Sequence, residues 1–506
     1  MVKLLLPLLL LLLLVLLSSW TLFASASHHE KKRHCHSECK AHIPEGRQLK
    51  ECIRRCLDHS NEREAAEREQ RRRQGGGRRR EHNPYYFGRR HYEQWAKTEH
   101  GRLEVLPSFA KRSELLLGVA NHRLALLEAA PETFVMPSHW DAEQVIYVME
   151  GHGIITMLHG ENRESHNIRR GDLMRIPAGA IVYAINRARN EKLRIAMLLR
   201  PISTPGQIEE YFGAAGRHPQ TFYTSFSNEV LEAAFNTPRH KLERLFEHQK
   251  RGQIIKINEE QVRAFSQSAS HGSAGWPFAQ SNEPYNLLSE KPPSHSNPHG
   301  ELYEAGADDC EQLQDLNMGV SFANISQGSM MVPYYNSFST EIVLVMQGKG
   351  YWEMASPQRK GEDEVRDDES EGQHHGREKE REPEAAQQPT RFETMRSHVS
   401  RGSAFVIPAG MPAAVVAAPN ENLQVLRFVV RAGRNARYYL AGRNNVLSRM
   451  DDVAKQLAFD APSAEEVHEV LDAQPHSVFV AGPKRREDGE RRGKPSLESL
   501  FSFLGF

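Results

Sequence analysis

A chain of 506 residues is about three times the length of a typical single domain, so two domains with extensions are expected. Hydrophobic residues make up 39% and Gly adds 35 positions, an ordinary globular share that excludes a wholly disordered or fibrous chain. Lys+Arg and Asp+Glu both number 65, so the chain lacks the basic excess of a nucleic-acid or acidic-membrane binder, and its zero formal charge favours self-association.

Lys3 precedes an almost unbroken apolar run from Leu4 to Leu17, and Ala24-Ser25-Ala26 follows as a small-residue cleavage site. This is the pattern of a secretory signal over residues 1–26, which places the mature chain in a lumenal compartment without stable membrane insertion. Residues 27–83 form a Cys- and Arg-rich extension. Cys35, Cys39, Cys52 and Cys56 are spaced C-x3-C-x12-C-x3-C, with Pro44 and Gly46 between the pairs. Positions i and i+4 share a helix face, so two short antiparallel helices could pair Cys35 with Cys56 and Cys39 with Cys52. Sequence alone permits three connectivities, and an oxidising compartment favours disulfides over a four-cysteine zinc site. Cys310 is left over and is expected to be a buried, inert thiol. The Arg- and Gln-rich stretch from Glu62 to Glu81, broken by Gly75-Gly76-Gly77, has too few apolar residues for a core and reads as a linker.

From Pro84 onward the chain turns β-rich. Val145–Val148, Gly153–Thr156 and Leu193–Leu198 are short strand-like runs punctuated by Gly and Pro, as in a barrel or sandwich. Residues Asn228 to Phe265 then read as helical, with Leu231, Phe235, Leu242 and Leu245 at helical spacing.

The β block occurs twice. Tyr147-Val148-Met149-Glu150-Gly151-His152-Gly153 recurs as Leu344-Val345-Met346-Gln347-Gly348-Lys349-Gly350. Arg170-Gly171, running to Ile176-Pro177-Ala178-Gly179, recurs as Arg401-Gly402, running to Ile407-Pro408-Ala409-Gly410. The second copy is longer, by a charged low-complexity insertion over 359–390. Helical patterns return near Val453–Leu457 and Ala464–Leu471. The expected fold is mainly β: two barrels over 84–243 and 285–456, each followed by a helical extension, and a helix and tail over 457–506. Gly171, Pro177, Gly179, Gly402, Pro408 and Gly410 are the turn residues of the barrel rims.

G-x5-P-x-G at Gly171–Gly179 and Gly402–Gly410, with the strand-and-Gly segment before each, resembles the paired motifs of the cupin superfamily. The doubled jelly-roll arrangement, the signal and the C-x3-C hairpin together resemble the vicilins, trimeric seed storage globulins. The resemblance implies a nutrient reservoir in the protein storage vacuole, a homotrimer joined through the helices near Phe235–Phe246 and Val453–Leu471, and no catalysis, cofactor or nucleic-acid partner. It also implies a glycoprotein and an allergen. The apolar tail Leu497–Phe506 resembles vacuolar sorting signals, and Asn324-Ile325-Ser326 is a glycosylation sequon.

Enzymatic cupins hold a metal through H-x-H, a Glu and a later His, and such a site needs three or four converging ligands. Matched onto this chain, the slots of the first barrel fall on Pro137 or Ser138, His139 or Trp140, Gln144 and Val182. Those of the second fall on Tyr334, Asn336, Glu341 and Ala413. At most one usual ligand survives in each. A copper site of some vicilins maps to Ser356, Gln358 and Met411 with Tyr85 or Tyr86, and lacks its thiolate and imidazoles. His29-Glu30-Lys31-Lys32-Arg33-His34 is one residue too long for a zinc-protease helix. Three further readings are a released antimicrobial hairpin over Cys35–Arg80, a barrel binding a sucrose-like ligand, and, least expected, a metal-dependent oxidase.

Overall fold

A computed structural model describes residues 83–270, 283–357 and 391–483. The cysteine hairpin, the 359–390 insertion and the C-terminal tail lie outside these described residues.

Each copy of the repeat builds two sheets. In the first copy one sheet carries Asp172–Ile176, Ala142–Glu150, Leu193–Pro201, Arg123–Ala129, Gly101–Val105 and Glu93–Thr98 in that order. The other carries Thr133–Trp140, Ile181–Asn186, His152–His159 and Asn162–Arg169. The second copy repeats the plan, with Thr340–Gln347, Leu423–Val430 and Met318–Ile325 at the centre of one sheet. All named pairings are antiparallel, so the two β-rich stretches close as jelly-roll barrels.

The continuous apolar runs have a simple cause. Successive side chains of a strand point to opposite faces. Ile146 and Val148 point into the first barrel, whereas Val145 and Tyr147 pack into a core shared with the second barrel. Val343 and Val345 join that shared core, together with Tyr85, Phe87 and Phe109. The sheet is buried on both faces, which a run such as Val145–Val148 needs and an alternating pattern could not supply.

The chain crosses the seam between the barrels. Tyr86–Phe87 pairs with Ala404–Phe405 of the second barrel, and Tyr285–Asn286 pairs with Asp172–Leu173 of the first. Each barrel stretch read from the sequence thus opens with a short strand that joins the other barrel's sheet.

The helices in chain order are α1 (Phe109–Arg112), α2 (Asn228–Phe235), α3 (Arg239–Glu247), α4 (Glu259–Ser270), α5 (Asp452–Phe459) and α6 (Ala464–Leu471). Ser227 and Ser463 cap the N-termini of α2 and α6 with their hydroxyls. Asn236 and Asp460 end α2 and α5 in the left-handed region. The block expected to be helical throughout is interrupted by a strand, Ile254–Lys256, that pairs with Thr133–Val135. Its two β-branched residues find an open sheet edge, and edge pairing outweighs helix propensity there. The described residues on either side of the insertion meet, because Pro357 pairs with Phe392 in a long antiparallel ladder. Among the described residues, no helix is long and apolar enough to cross a membrane.

Candidate functional site

Strand register decides which residues occupy the slots inside each barrel. Ser138 faces Val182 and Gln144 faces Ile176, while Tyr334 faces Ala413 and Glu341 faces Ile407. The equivalences are therefore Ser138 with Tyr334, Trp140 with Asn336, Gln144 with Glu341 and Val182 with Ala413. This selects Ser138 and Trp140 over Pro137 and His139. His139 lies outside the barrel, its ring stacked on Tyr211 at 5.1 Å.

Two more pairs emerge from the same registers. Met197 and Arg427 are equivalent on their strands, since Leu199 faces Gln144 as Val429 faces Glu341. Glu210 faces Trp140 as Arg437 faces Asn336, so Glu210 and Arg437 hold one position with opposite charges.

The second barrel encloses an ionic network. Tyr334 Oη donates to Glu341 Oε2 at 2.6 Å, and Asn336 Nδ2 donates to Oε1 at 2.9 Å. Arg437 Nη2 donates to the same Oε1 at 3.1 Å and its Nη1 donates to Glu304 Oε1 at 2.6 Å. Arg427 Nε lies 3.4 Å from Glu341 Oε2, and both side chains are completely buried. Burial alone would push the Glu341 carboxyl up. The guanidinium groups of Arg437 and Arg427, with the bonds from Tyr334 and Asn336, outweigh it and hold the carboxyl below its ordinary range. Burial and the Glu341 charge drive the Tyr334 hydroxyl far up, so it stays a donor. Two arginines balance two glutamates, and the one carboxylate left among the metal slots, Glu341, is taken up by guanidinium groups.

The first barrel is filled differently. Trp140, Ile146, Val148, Ile155, Met174 and Met197 form an apolar core. Its only acid at these positions, Glu210, accepts a bond from Ser138 Oγ at 2.7 Å. Although the residue is partly exposed, Glu210 Oε2 is buried without a hydrogen-bond partner. Burial pushes its carboxyl up to about 7, against the lowering effect of the bond from Ser138. Gln144 is buried and carries no charge.

No group of three or more His, Cys, Asp or Glu side chains gathers as metal ligands among the described residues. Tyr85 is buried with its hydroxyl 3.5 Å from Ser356 Oγ, so two of the copper-type positions meet and offer hydroxyls, where a thiolate would stand at Ser356. Gln358 lies outside the described residues, as do Cys35, Cys39, Cys52 and Cys56. Cys310 is a buried free thiol whose ionisation burial makes harder. Asn324 sits within the strand Met318–Ile325, half-buried. Gly171 and Gly402 adopt φ +93° and +81°, and their N–H groups donate to Val148 and Val345. Pro177 and Pro408 accept the turn bonds from Ala180 and Met411.

Sequence reasoning missed Glu210, Arg427, Arg437 and Glu304, which come from strands remote from the motifs. One signal was available for Arg427, a lone charge inside the apolar run Leu423–Val430.

Comparison with known proteins agrees with this architecture. The cupin family model matches residues 123–239 and 285–465. A vicilin from Corylus avellana is 46% identical over 81% of this chain and 86% of its own length. A vicilin from Juglans regia is 43% identical over 91% of this chain and 90% of its own. The crystal structure of the Corylus avellana vicilin superposes with a TM-score of 0.69, covering 79% of this chain and all of that one at 44% identity. The doubled barrels, the crossed N-terminal strands and these likenesses together show that the chain belongs to the vicilin family of cupin seed storage globulins.

Proposed function

We propose that this storage globulin works as a passive nutrient reservoir, without catalysis and without a metal or organic cofactor. One observation carries the reading: the interior positions that could hold a metal are filled by the protein's own side chains. A reservoir needs dense packing and deposition at high concentration, and a chain with zero formal charge has little self-repulsion to oppose that.

A homotrimer fits the surface chemistry. Both helical extensions expose large apolar side chains, Val230 and Leu245 on α2 and α3, Val453, Leu457 and Val470 on α5 and α6. Leu457 is 79% exposed. Paired apolar patches of this kind on one chain suit head-to-tail contacts that close into a ring. The secretory signal and the apolar tail support a route to the storage vacuole, with cleavage after Ala26. The four N-terminal cysteines form two disulfides in this reading.

The test follows the protein through its life. Its amount per seed, measured by quantitative blotting, is expected to rise during filling and collapse within days of germination. A constant amount, or metal-dependent turnover by the purified protein, would overturn the reservoir reading.

A further inference from the structure

The seam between the barrels carries a charged ladder. Across adjacent strands Arg102 faces Glu128, Glu128 faces Arg194, and Arg194 faces Glu150. Arg194 Nη2 lies 2.6 Å and Arg102 Nη2 3.2 Å from Glu128 Oε2. Arg401 reaches over from the second barrel to Glu150 at 2.6 Å. Arg89 bonds Glu104 at 2.8 Å and lies across Gly402, where a Cβ would meet its Cδ at 2.6 Å. Gly402 therefore makes room for that arginine. Arg89, Arg102, Arg194, Arg401, Glu104 and Glu128 line a pocket of about 200 Å3.

Charge and donor counts are unbalanced there. Four guanidinium groups meet two carboxylates in the lining, a surplus of two positive charges. Lys192, which bonds Glu128 at 2.8 Å, and Glu150 beside the pocket cancel each other. Each guanidinium offers about five N–H donors and each carboxylate roughly four acceptor sites, so donors outnumber acceptors in the lining.

The fold does not demand these charges. In the second copy the same row of strands carries Glu301, Asn324, Gln424 and Gln347. Arg170, the counterpart of Arg401, bonds the neutral Gln424 at 3.3 Å. One half of the pseudo-symmetric seam is nearly neutral, and the other concentrates arginine around a cavity.

We propose that this seam pocket binds a small doubly charged tetrahedral oxyanion of the phosphate class, either free phosphate or a phosphate monoester. Two negative charges cancel the surplus, and forked guanidinium groups match phosphate oxygens two at a time. The ligand would lie between Arg401 of one barrel and Arg102 and Arg194 of the other, tying the seam together. This goes beyond the reservoir reading and does not depend on it.

Calorimetry and thermal melting on the full chain, at constant ionic strength, test the site with inorganic phosphate, glycerol phosphate and acetate. One phosphate-class ion per chain is expected, with a raised Tm and acetate at least tenfold weaker. Arg401→Gln and Arg102→Gln should each weaken phosphate tenfold or more, and Arg401→Lys, which keeps the charge but loses the fork, several-fold. Arg170→Gln, in the neutral half, should change it less than twofold. Tighter binding of glycerol phosphate assigns a monoester, tighter binding of phosphate assigns the free ion, and both keep the proposal. Absence of saturable binding, unchanged affinity in both Arg401 variants, or an equal loss in Arg170→Gln would overturn it.

Discussion

The two barrels share one backbone plan and fill it with opposite chemistry. Where the first places Ser138, Trp140, Gln144, Met197 and Glu210, the second places Tyr334, Asn336, Glu341, Arg427 and Arg437. The first solution is an apolar core with one acid whose Oε2 is buried without a hydrogen-bond partner. The second is an ion network in which Arg427 and Arg437 are charge-paired but leave Nε and Nη1 of Arg427 and Nε of Arg437 buried without a hydrogen bond. The difference shows that the jelly roll sets where side chains point and leaves open what they are, provided each buried charge is paired with an opposite charge, as in the second barrel, or held towards its neutral form, as Glu210 is. Neither solution leaves a converging set of metal ligands among the described residues.

Breaking the network should have the largest effect. Glu341→Ala leaves Arg427 and Arg437 buried without their shared carboxylate, and a loss of about 3–5 kcal/mol in unfolding free energy is expected. The matching change Gln144→Ala in the first barrel should cost about 1–2 kcal/mol. Importing the first barrel's residues together, Glu341→Gln with Arg427→Met, should recover much of the loss, because both charges leave at once. Equal costs for Glu341→Ala and Gln144→Ala in urea unfolding would erase the distinction between the barrels.

Acid should act on the two barrels with opposite signs. Glu210 holds its proton up to about 7 in the fold, against an ordinary value of 4.5, so between those values the folded form carries the extra proton. Stability therefore falls as pH rises through that window, by on the order of 2–3 kcal/mol, and Glu210→Gln should remove the slope. Glu341 is held below 4.5, so its contribution is present at neutral pH and disappears only as pH falls below that value. Melting curves from pH 4 to 8 for the parent and Glu210→Gln check the first sign, where an unaltered slope in the variant would contradict the assignment to Glu210. Extending them below pH 4.5 with Glu341→Gln checks the second.

The helical extensions should give the smallest effect on stability and a clear one on assembly. Leu457→Ser removes an exposed side chain, so unfolding free energy should move by less than about 0.5 kcal/mol. Light scattering should nevertheless show the proposed trimer of the parent giving way to monomers at micromolar concentration in the variant. Trimers unchanged in Leu457→Ser and also in Leu245→Ser would exclude these faces as contacts.

Much of this architecture could be read from the chain because its signals are local. The doubled G-x5-P-x-G turns need positive φ at Gly171 and Gly402, and runs such as Val145–Val148 are long enough to declare strands. The parts that could not be read depend on distant partners. Tyr86–Phe87 is two residues long and is a strand only because Ala404–Phe405 lies beside it. The spacer before His139 left two slot assignments open, and only pairing with Val182 places Ser138 inside. Arg437 meets Glu341 across 96 positions and Glu304 across 133, and Glu210 meets Ser138 across 72, distances over which no local pattern marks the pair.

The claim that the barrel interiors are packing and not ligand sites is tested most directly by equilibrating the purified chain with manganese, iron or copper and measuring bound metal by mass spectrometry after gel filtration. The account predicts well under one ion per barrel and an unchanged melting temperature. One tightly held ion per barrel, lost in Glu341→Gln or Glu210→Gln, would contradict it.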